Sequence, residues 1–378
     1  MTDVFITADN IFSPLGMSSA ENFAQLKISV SGVKRHDDSK MSEQPFYASL
    51  FDKQDAPLND DTKNKFTKFE TLLIASISDG LQNSGVNASD NKTILIISST
   101  KGNIGLLESG THSKELNKRI ALTTSAKLVA DHFHFVNQPI VISNACISGV
   151  LAIITGMRMI QSGQCENAVI AGAEVISKFI LSGFQSFQAI SDGVCKPFDA
   201  TRTGINLGEG AGTVILSSKK NYSCGIKVSG GSISNDANHI SGPSRTGGPL
   251  AAAITKALKN TDLSPSAIDL ISAHGTATIY NDEMEANAIT LANMQSTPVN
   301  SLKGYYGHTL GAAGVIESIV SIHSMKEDII LPTLGFQNIG VTKPINICNS
   351  LYKTSVKNCL KTASGFGGCN AAVIFSKQ

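Results

Sequence analysis

Short apolar runs of strand character alternate with amphipathic helical stretches along nearly the whole chain, and this alternation constrains the fold more than any other feature. Runs at 93–98 (TILIIS), 139–143 (PIVIS), 168–171 (AVIA) and 213–217 (TVILS) are rich in Ile, Val and Leu. They are short and continuous, the pattern of strands buried on both faces. Residues 65–81 place Phe66, Phe69, Leu73, Ile77 and Leu81 at helical spacing. Buried strands with covering helices predict an α/β chain. No low-complexity linker divides the 378 residues into independent units.

Only 16% of the residues are charged, against about 25% in an average soluble protein, and 42% are hydrophobic. Such a chain can fill a large core, which argues against intrinsic disorder. The 31 basic and 30 acidic residues leave a net charge of +1. That lacks the basic field of a nucleic-acid binder. Sparse charge also suits a surface covered by a second subunit. The first residues have no basic or long apolar region of a signal peptide. The apolar stretch 139–160 is broken by Ser143, Asn144, Ser148, Gly149 and Arg158. It reads as a buried strand and a buried helix rather than a membrane span, and the expected compartment is the cytoplasm. The seven cysteines (146, 165, 195, 224, 348, 359 and 369) form no C-x-x-C pair. Reduced thiols are expected, and a structural zinc is not.

An internal duplication is visible. The turn Asn144-Ala145-Cys146 leads into ISGVLAIITGM, and Gly307-His308 leads into TLGAAGVIESIV. Gly208-Glu209-Gly210-Ala211-Gly212 precedes TVIL, and Gly365-Phe366-Gly367-Gly368-Cys369 precedes AAVIF. Cys146 to His308 is 162 residues and Gly208 to Gly365 is 157. A duplication divides the chain into 1–220, with Cys146, and 221–378, with two notable histidines. It would set Cys146 and His308 across a pseudo-twofold axis. Chance likeness of Gly-rich turns accounts for the offsets alone equally well.

Cys146 follows a strand and precedes a helix, where the macrodipole and free N–H groups favour a thiolate and lower its pKa from about 8.5. Small neighbours suit the tight turn of an exposed nucleophile; a buried structural cysteine is the competing reading. His274 lies in Ser-Ala-His274-Gly-Thr276-Ala-Thr278, at the end of an apolar strand and pointing into a loop-lined site. His308 stands at the start of the GAAG helix, whose small residues predict close packing against something bulky. A helix N-terminus disfavours imidazolium, so His308 is expected to be a neutral N–H donor. Lys303 supplies a cation nearby, and Glu317 is placed either to reach back to it or to face solvent. Residues 365–368 form a turn whose N–H groups can face an oxyanion, or a plain β-turn. A thiol, two neutral imidazoles, a lysine and a donor loop suit a Claisen condensation better than hydrolysis, which wants a carboxylate orienting one base.

At these residues the chain resembles the β-ketoacyl-acyl-carrier-protein synthases of types I and II, within the thiolase superfamily. The likeness runs nearly end to end. It takes in Val4-Phe-Ile-Thr-Ala with Ser13-Pro-Leu-Gly16, Asn144-Ala-Cys146, Lys196-Pro-Phe-Asp199-Ala-Thr-Arg202, and Gly208-Glu-Gly-Ala-Gly212. It continues through Asn235-Asp-Ala-Asn-His239, His274-Gly-Thr-Ala-Thr278, Lys303 with Gly307-His308, and Gly365-Phe366-Gly-Gly368. The resemblance implies two similar halves in a five-layered α-β-α-β-α fold, acting as a homodimer or as a heterodimer with a second ketosynthase-like subunit. It implies that Cys146 takes an acyl chain, and that His274 and His308 bind the malonyl thioester oxygen as carbon dioxide leaves. It further implies an oxyanion hole from the N–H groups of Cys146 and Phe366, electrostatic support from Lys303 and Glu317, and an acyl gate at Phe366. Thr276, Thr278, Asp236, His239 and Gly367 match substrate-binding positions. No resident cofactor is implied, since phosphopantetheine arrives on the acyl carrier protein.

Departures from the family pattern are Asn144, Ile147, Thr203-Gly204-Ile205-Asn206, Ser364 and Cys369, together with shortened segments between Gly105 and Cys146 and between Asp199 and His274. They point to a specialised pathway, such as polyene or polyketide-type synthesis, rather than housekeeping fatty-acid synthesis. A chain-length-factor-like partner subunit and a thiolase using Cys369 as base are the alternatives. Carrier proteins are acidic, so Lys63, Lys65 and Lys68 are candidates for a docking patch, or for a merely solvated helix face.

Overall fold

The computed structural model describes residues 2–52, 65–108, 111–236 and 241–378. A ten-stranded sheet runs through it. The first half contributes β1 (Phe5–Phe12), β2 (Thr93–Ser98), β3 (Ile140–Ile142), β4 (Asn167–Glu174) and β5 (Gly210–Ser217). The second contributes β6 (Ile226–Asn235), β7 (Leu270–Ser272), β8 (Val299–Asn300), β9 (Asn358–Gly365) and β10 (Cys369–Lys377).

From the middle outward the order is β1, β5, β4, β2, β3 on one side and β6, β10, β9, β7, β8 on the other. Each half therefore places its first, fifth, fourth, second and third strands in that sequence. The pairing senses repeat too: antiparallel for the inner three strands, parallel for the outer three. Within this sheet the halves join at β1 and β6, where Phe5 pairs with Lys227. Chance likeness of turns does not reproduce a five-strand topology with matching senses. The duplication is real.

Among the described residues, the helices that frame the site include α1 (Lys68–Gln82), α2 (Ser148–Gln161), α3 (Lys178–Ser186), α4 (Gly248–Lys259), α5 (Ile279–Leu291) and α6 (Leu310–Glu327). Helices α2 and α6 pack on each other between the two half-sheets, α1 covers the outer face of the first half, and α4 with α5 covers that of the second. This is the α-β-α-β-α arrangement the resemblance implies. Residue character explains the placement. Every residue of α6 from Leu310 to Ile322 is buried, as a central helix requires. By contrast, α1 buries one face through Phe69, Leu72, Leu73 and Ile77. A capping box of Thr67 and Glu70 starts α1 at Lys68, so Phe66 stays outside the helix and packs edge-on against His132.

Two sequence expectations need correction. β3 is only half-buried, because it is the outermost strand of its half. The small residues of α6 do not receive a bulky side chain. A Cβ on Gly314 would stand 2.4 Å from the amide nitrogen of Val150, and one on Gly149 would stand 2.6 Å from that of Val315. The two central helices cross backbone to backbone there.

Candidate active site

Cys146 sits in a turn between β3 and α2. Ala145 takes φ 44°, and Ser148 closes the turn. Its hydroxyl accepts from the Asn144 N–H (2.8 Å) and donates to the Ala145 carbonyl (2.7 Å). The end of β9 comes so close that a Cβ on Gly365 would lie 2.9 Å from the Cys146 nitrogen. Burial pushes the Cys146 thiol up to about 12, opposed by the Lys303 ammonium and by the Phe366 N–H, which donates to the sulfur. Burial, the largest cause, thus runs against the lowering expected from the helix N-terminus.

His274 follows β7 and His308 precedes α6. Their ring centroids are 5.1 Å apart at 80°. One nitrogen of each and the Cys146 sulfur all lie within 4.8 Å of one another. Both nitrogens of His308 are buried without a hydrogen-bond partner among the described residues. The His308 backbone is pinned across the half boundary, its N–H donating to Asn206 O (2.7 Å) and its carbonyl accepting from the Gly208 N–H (3.1 Å). Gly307 allows this with φ +66°, where a Cβ would stand 2.3 Å from Leu207 O. Both histidines are held well below 6.5, first by burial and then by the Lys303 and Lys361 ammoniums. His308 is neutral as expected, though burial and two lysines are the cause rather than the helix end.

Beneath the imidazoles lies a set of fully buried ionisable groups. Glu317 does reach Lys303, and its other oxygen binds Lys361 at 2.6 Å. Lys303 also donates to the His274 carbonyl at 3.0 Å. The Glu285 carboxylate accepts the N–H groups of His274 (2.8 Å) and Gly275 (2.5 Å). Asp282 accepts from the Thr276 and Phe198 N–H groups. None of Lys361, Glu285 and Asp282 was singled out in the sequence. Their signals were present, as a lone Lys within the apolar run of β9 and as an Asp-x-x-Glu spacing at the start of α5.

A cavity of about 470 Å³ opens over these groups, with Cys146, His274 and His308 in its wall together with Thr276, Thr278 and Asp236. The hydroxyls of Thr276 and Thr278 are 2.8 Å apart. Phe366 also lines the cavity. It is 42% exposed, stacks on Phe184 at 6.1 Å and meets the edge of Phe187 at 5.5 Å.

Gly367 does not line the cavity. With φ +85°, and its carbonyl accepting from Asn235 Nδ2, it shapes the Phe366 turn. His239 and Lys63 lie outside the described residues. Of the other docking candidates, Lys68 reaches back to buried Glu209 at 2.6 Å, while Lys65 is exposed. No described helix is long and apolar enough to cross a membrane.

Models of the β-ketoacyl synthase N-terminal and C-terminal domains match residues 1–221 and 226–337. A 3-oxoacyl-[acyl-carrier-protein] synthase homolog from Saccharomyces cerevisiae is 28% identical over 436 aligned positions, covering 99% of this chain and 98% of that one. The crystal structure of a β-ketoacyl synthase from Burkholderia phymatum superposes over both full chains with a TM-score of 0.91 at 25% identity. The ishigamide ketosynthase/chain length factor shares the fold, with a TM-score of 0.90 at 23% identity over 100% of this chain and 99% of that one. The duplicated five-layer fold, the cysteine facing two histidines across the half boundary and both domain matches agree: this chain belongs to the β-ketoacyl synthase family.

Proposed function

We propose that this chain condenses an acyl group held on Cys146 with a malonyl group on acyl carrier protein, giving β-ketoacyl carrier protein and carbon dioxide. The observation that carries the reading is the meeting of a thiol and two neutral imidazoles within 4.8 Å, with His308 in the cavity wall and both its nitrogens without a hydrogen-bond partner among the described residues.

In the first step the Cys146 sulfur attacks the incoming thioester, and its proton leaves with the pantetheine thiol. In the second, the malonyl carbon–carboxylate bond breaks, and its electron pair moves onto the thioester oxygen. Imidazole N–H groups of His274 and His308 hold that enolate oxygen. The enolate carbon then attacks the Cys146 thioester, whose oxyanion is received by the N–H groups of Cys146 and Phe366. Collapse expels the Cys146 thiolate, which is reprotonated. Lys303 and Glu317 hold the His274 backbone. Thr276 and Thr278 bind the pantetheine arm, Asp236 belongs to the loop beside the Phe366 gate, and no resident cofactor takes part.

Cys369 turns its sulfur toward the carbonyls of Asn144 (3.7 Å) and Phe366 (3.4 Å) and stands outside the cavity wall. That placement disfavours the thiolase alternative, which needs a base over the substrate. The half-buried edge strand β3 and exposed Asn144 support a subunit interface beside the site. The partner is a second copy or, by analogy with the ketosynthase/chain length factor, a related subunit. Seven free thiols support a reducing, cytoplasmic setting.

Incubation with acyl carrier protein should leave an acyl adduct on Cys146 by mass spectrometry, and malonyl carrier protein should then release carbon dioxide. No adduct, with or without a partner subunit, would sink the reading.

A further inference from the structure

Lys361 stands in none of the motifs that carry the family resemblance, yet it is fully buried at the centre of the site's support. It lies on β9, its ammonium donates to the carbonyls of Ser272 (3.1 Å) and Ala273 (3.0 Å), and it is ion-paired with Glu317 Oε2 at 2.6 Å. Lys303 takes the next carbonyl, that of His274, and the other Glu317 oxygen. Two ammoniums bridged by one carboxylate thus hold three consecutive carbonyls leading into the catalytic histidine. On the opposite edge, Glu285 holds the N–H groups of His274 and Gly275, and the Thr362 hydroxyl, next to Lys361, donates to Glu285 at 3.2 Å.

A buried ammonium is costly, and an apolar side chain fills such a strand position more cheaply. A purely structural role therefore explains Lys361 poorly. Its charge matters because Glu317 is one carboxylate shared by two cations, while burial pushes Glu285 and Asp282 toward their uncharged forms and also opposes the charge of Lys361 itself. Among the described residues, the ionisable groups packed around the imidazoles include Lys303 and Glu317, Tyr306 beside Glu317, and Glu285 and Asp282 under the 274–276 backbone. Cys146 and Glu174 approach from the first half. Of these, Lys303 and Lys361 are the cations that act on both rings.

We propose that Lys361 is a second positioning residue for the condensation, fixing the backbone that aims His274 and supplying, with Lys303, the positive field that keeps both imidazoles uncharged donors. This rests on the function proposed above, and the test separates the two. Carbon dioxide release from malonyl carrier protein by the unmodified protein tests the function. Titration of carbon-13-labelled histidine by NMR tests the field without any turnover.

In the unmodified protein neither ring should take up a proton at pH 6. In Lys361→Met both rings should titrate at least about one pH unit higher, and the acid limb of carbon dioxide release should rise with them. At pH 7, kcat should fall by about tenfold or more with KM nearly unchanged, the mark of lost transition-state support rather than lost binding. Lys361→Arg, which keeps the charge, should hold the acid limb in place. An unshifted limb and unshifted rings in folded Lys361→Met would overturn the proposal. If Lys361→Met does not fold, the unmodified protein still decides, because a His274 or His308 ring titrating near pH 6.5 overturns it as well.

Discussion

The two halves reach the site through the same junction, the step from third strand to central helix, and they use it in opposite ways. In the first half, β3 leads through exposed Ser143 and Asn144 to Cys146, at the edge of the sheet. The groups closing that turn are a serine hydroxyl and backbone amides. In the second half, every residue from Ser301 to Leu310 is buried, and the junction rests on Lys303, Glu317 and, through them, Lys361. One copy of the scaffold presents an electron pair with neutral donors around it. The other presents donors backed by buried charge. Under the proposed function, this division gives one site both a nucleophile and an enolate-stabilising pair.

The sharpest way to break the comparison is to remove the first junction's sulfur. Cys146→Ala should lose the acyl adduct and lower condensation by at least about 10³-fold. Malonyl carrier protein should still lose carbon dioxide, within roughly tenfold of the unmodified rate, because His274 and His308 are untouched. Parallel loss of both activities would mean that the junctions do not divide the chemistry.

The thiol's acidity comes next. Burial sets Cys146 near 12, so the thiolate is disfavoured throughout the neutral range. The rate of iodoacetamide alkylation at Cys146 should climb about tenfold per pH unit from pH 7 to pH 10 without levelling, whereas an ordinary thiol levels near pH 9. A plateau at or below pH 8 would show that the helix end and Lys303 outweigh burial after all.

The same contrast explains what was legible in the sequence. Cys146, His274 and His308 stand in motifs, at turns where Gly and small residues announce close backbone approach, and the repeated β–turn–helix texture carried the duplication. Lys361 and Glu285 were missed because each stands outside the motifs and meets a side-chain partner on another element. Glu317 meets Lys361 from another element, and Glu285 meets Thr362 across 77 positions. The opposing pull on the thiol was not legible, because a helix terminus is a local feature while desolvation depends on the second half folding over it. Likewise the GAAG run showed that something approaches closely, but only topology shows that it is the backbone of α2.

In the second junction, His308→Ala removes one donor to the developing enolate oxygen. Carbon dioxide release should fall by about 10²–10³-fold, the usual cost of one oxyanion donor. Acylation of Cys146 should change far less, so the two assays should respond in the reverse order to Cys146→Ala. Equal losses in both would instead assign His308 to general-base activation of the thiol.

The smallest effect tests what keeps the junctions together. Gly149 begins the helix after Cys146 and Gly314 lies one turn into the helix after His308, and their backbones touch where α2 crosses α6. An added methyl at Gly149 meets the Val315 nitrogen at 2.6 Å and the Gly314 Cα at 2.9 Å, backbone atoms that yield only if a helix moves. Gly149→Ala should therefore destabilise the protein by about 1–3 kcal/mol, the cost of overpacking a filled core. Gly183, exposed in α3, has nothing within 4 Å of its added methyl. There the same substitution should stabilise by roughly 0.5–1 kcal/mol, because alanine restricts the unfolded chain and favours the helix. Urea unfolding of both variants measures the difference. If Gly149→Ala matched Gly183→Ala, the helix crossing would have slack, and the placement of Cys146 opposite His308 would have to come from the sheets alone.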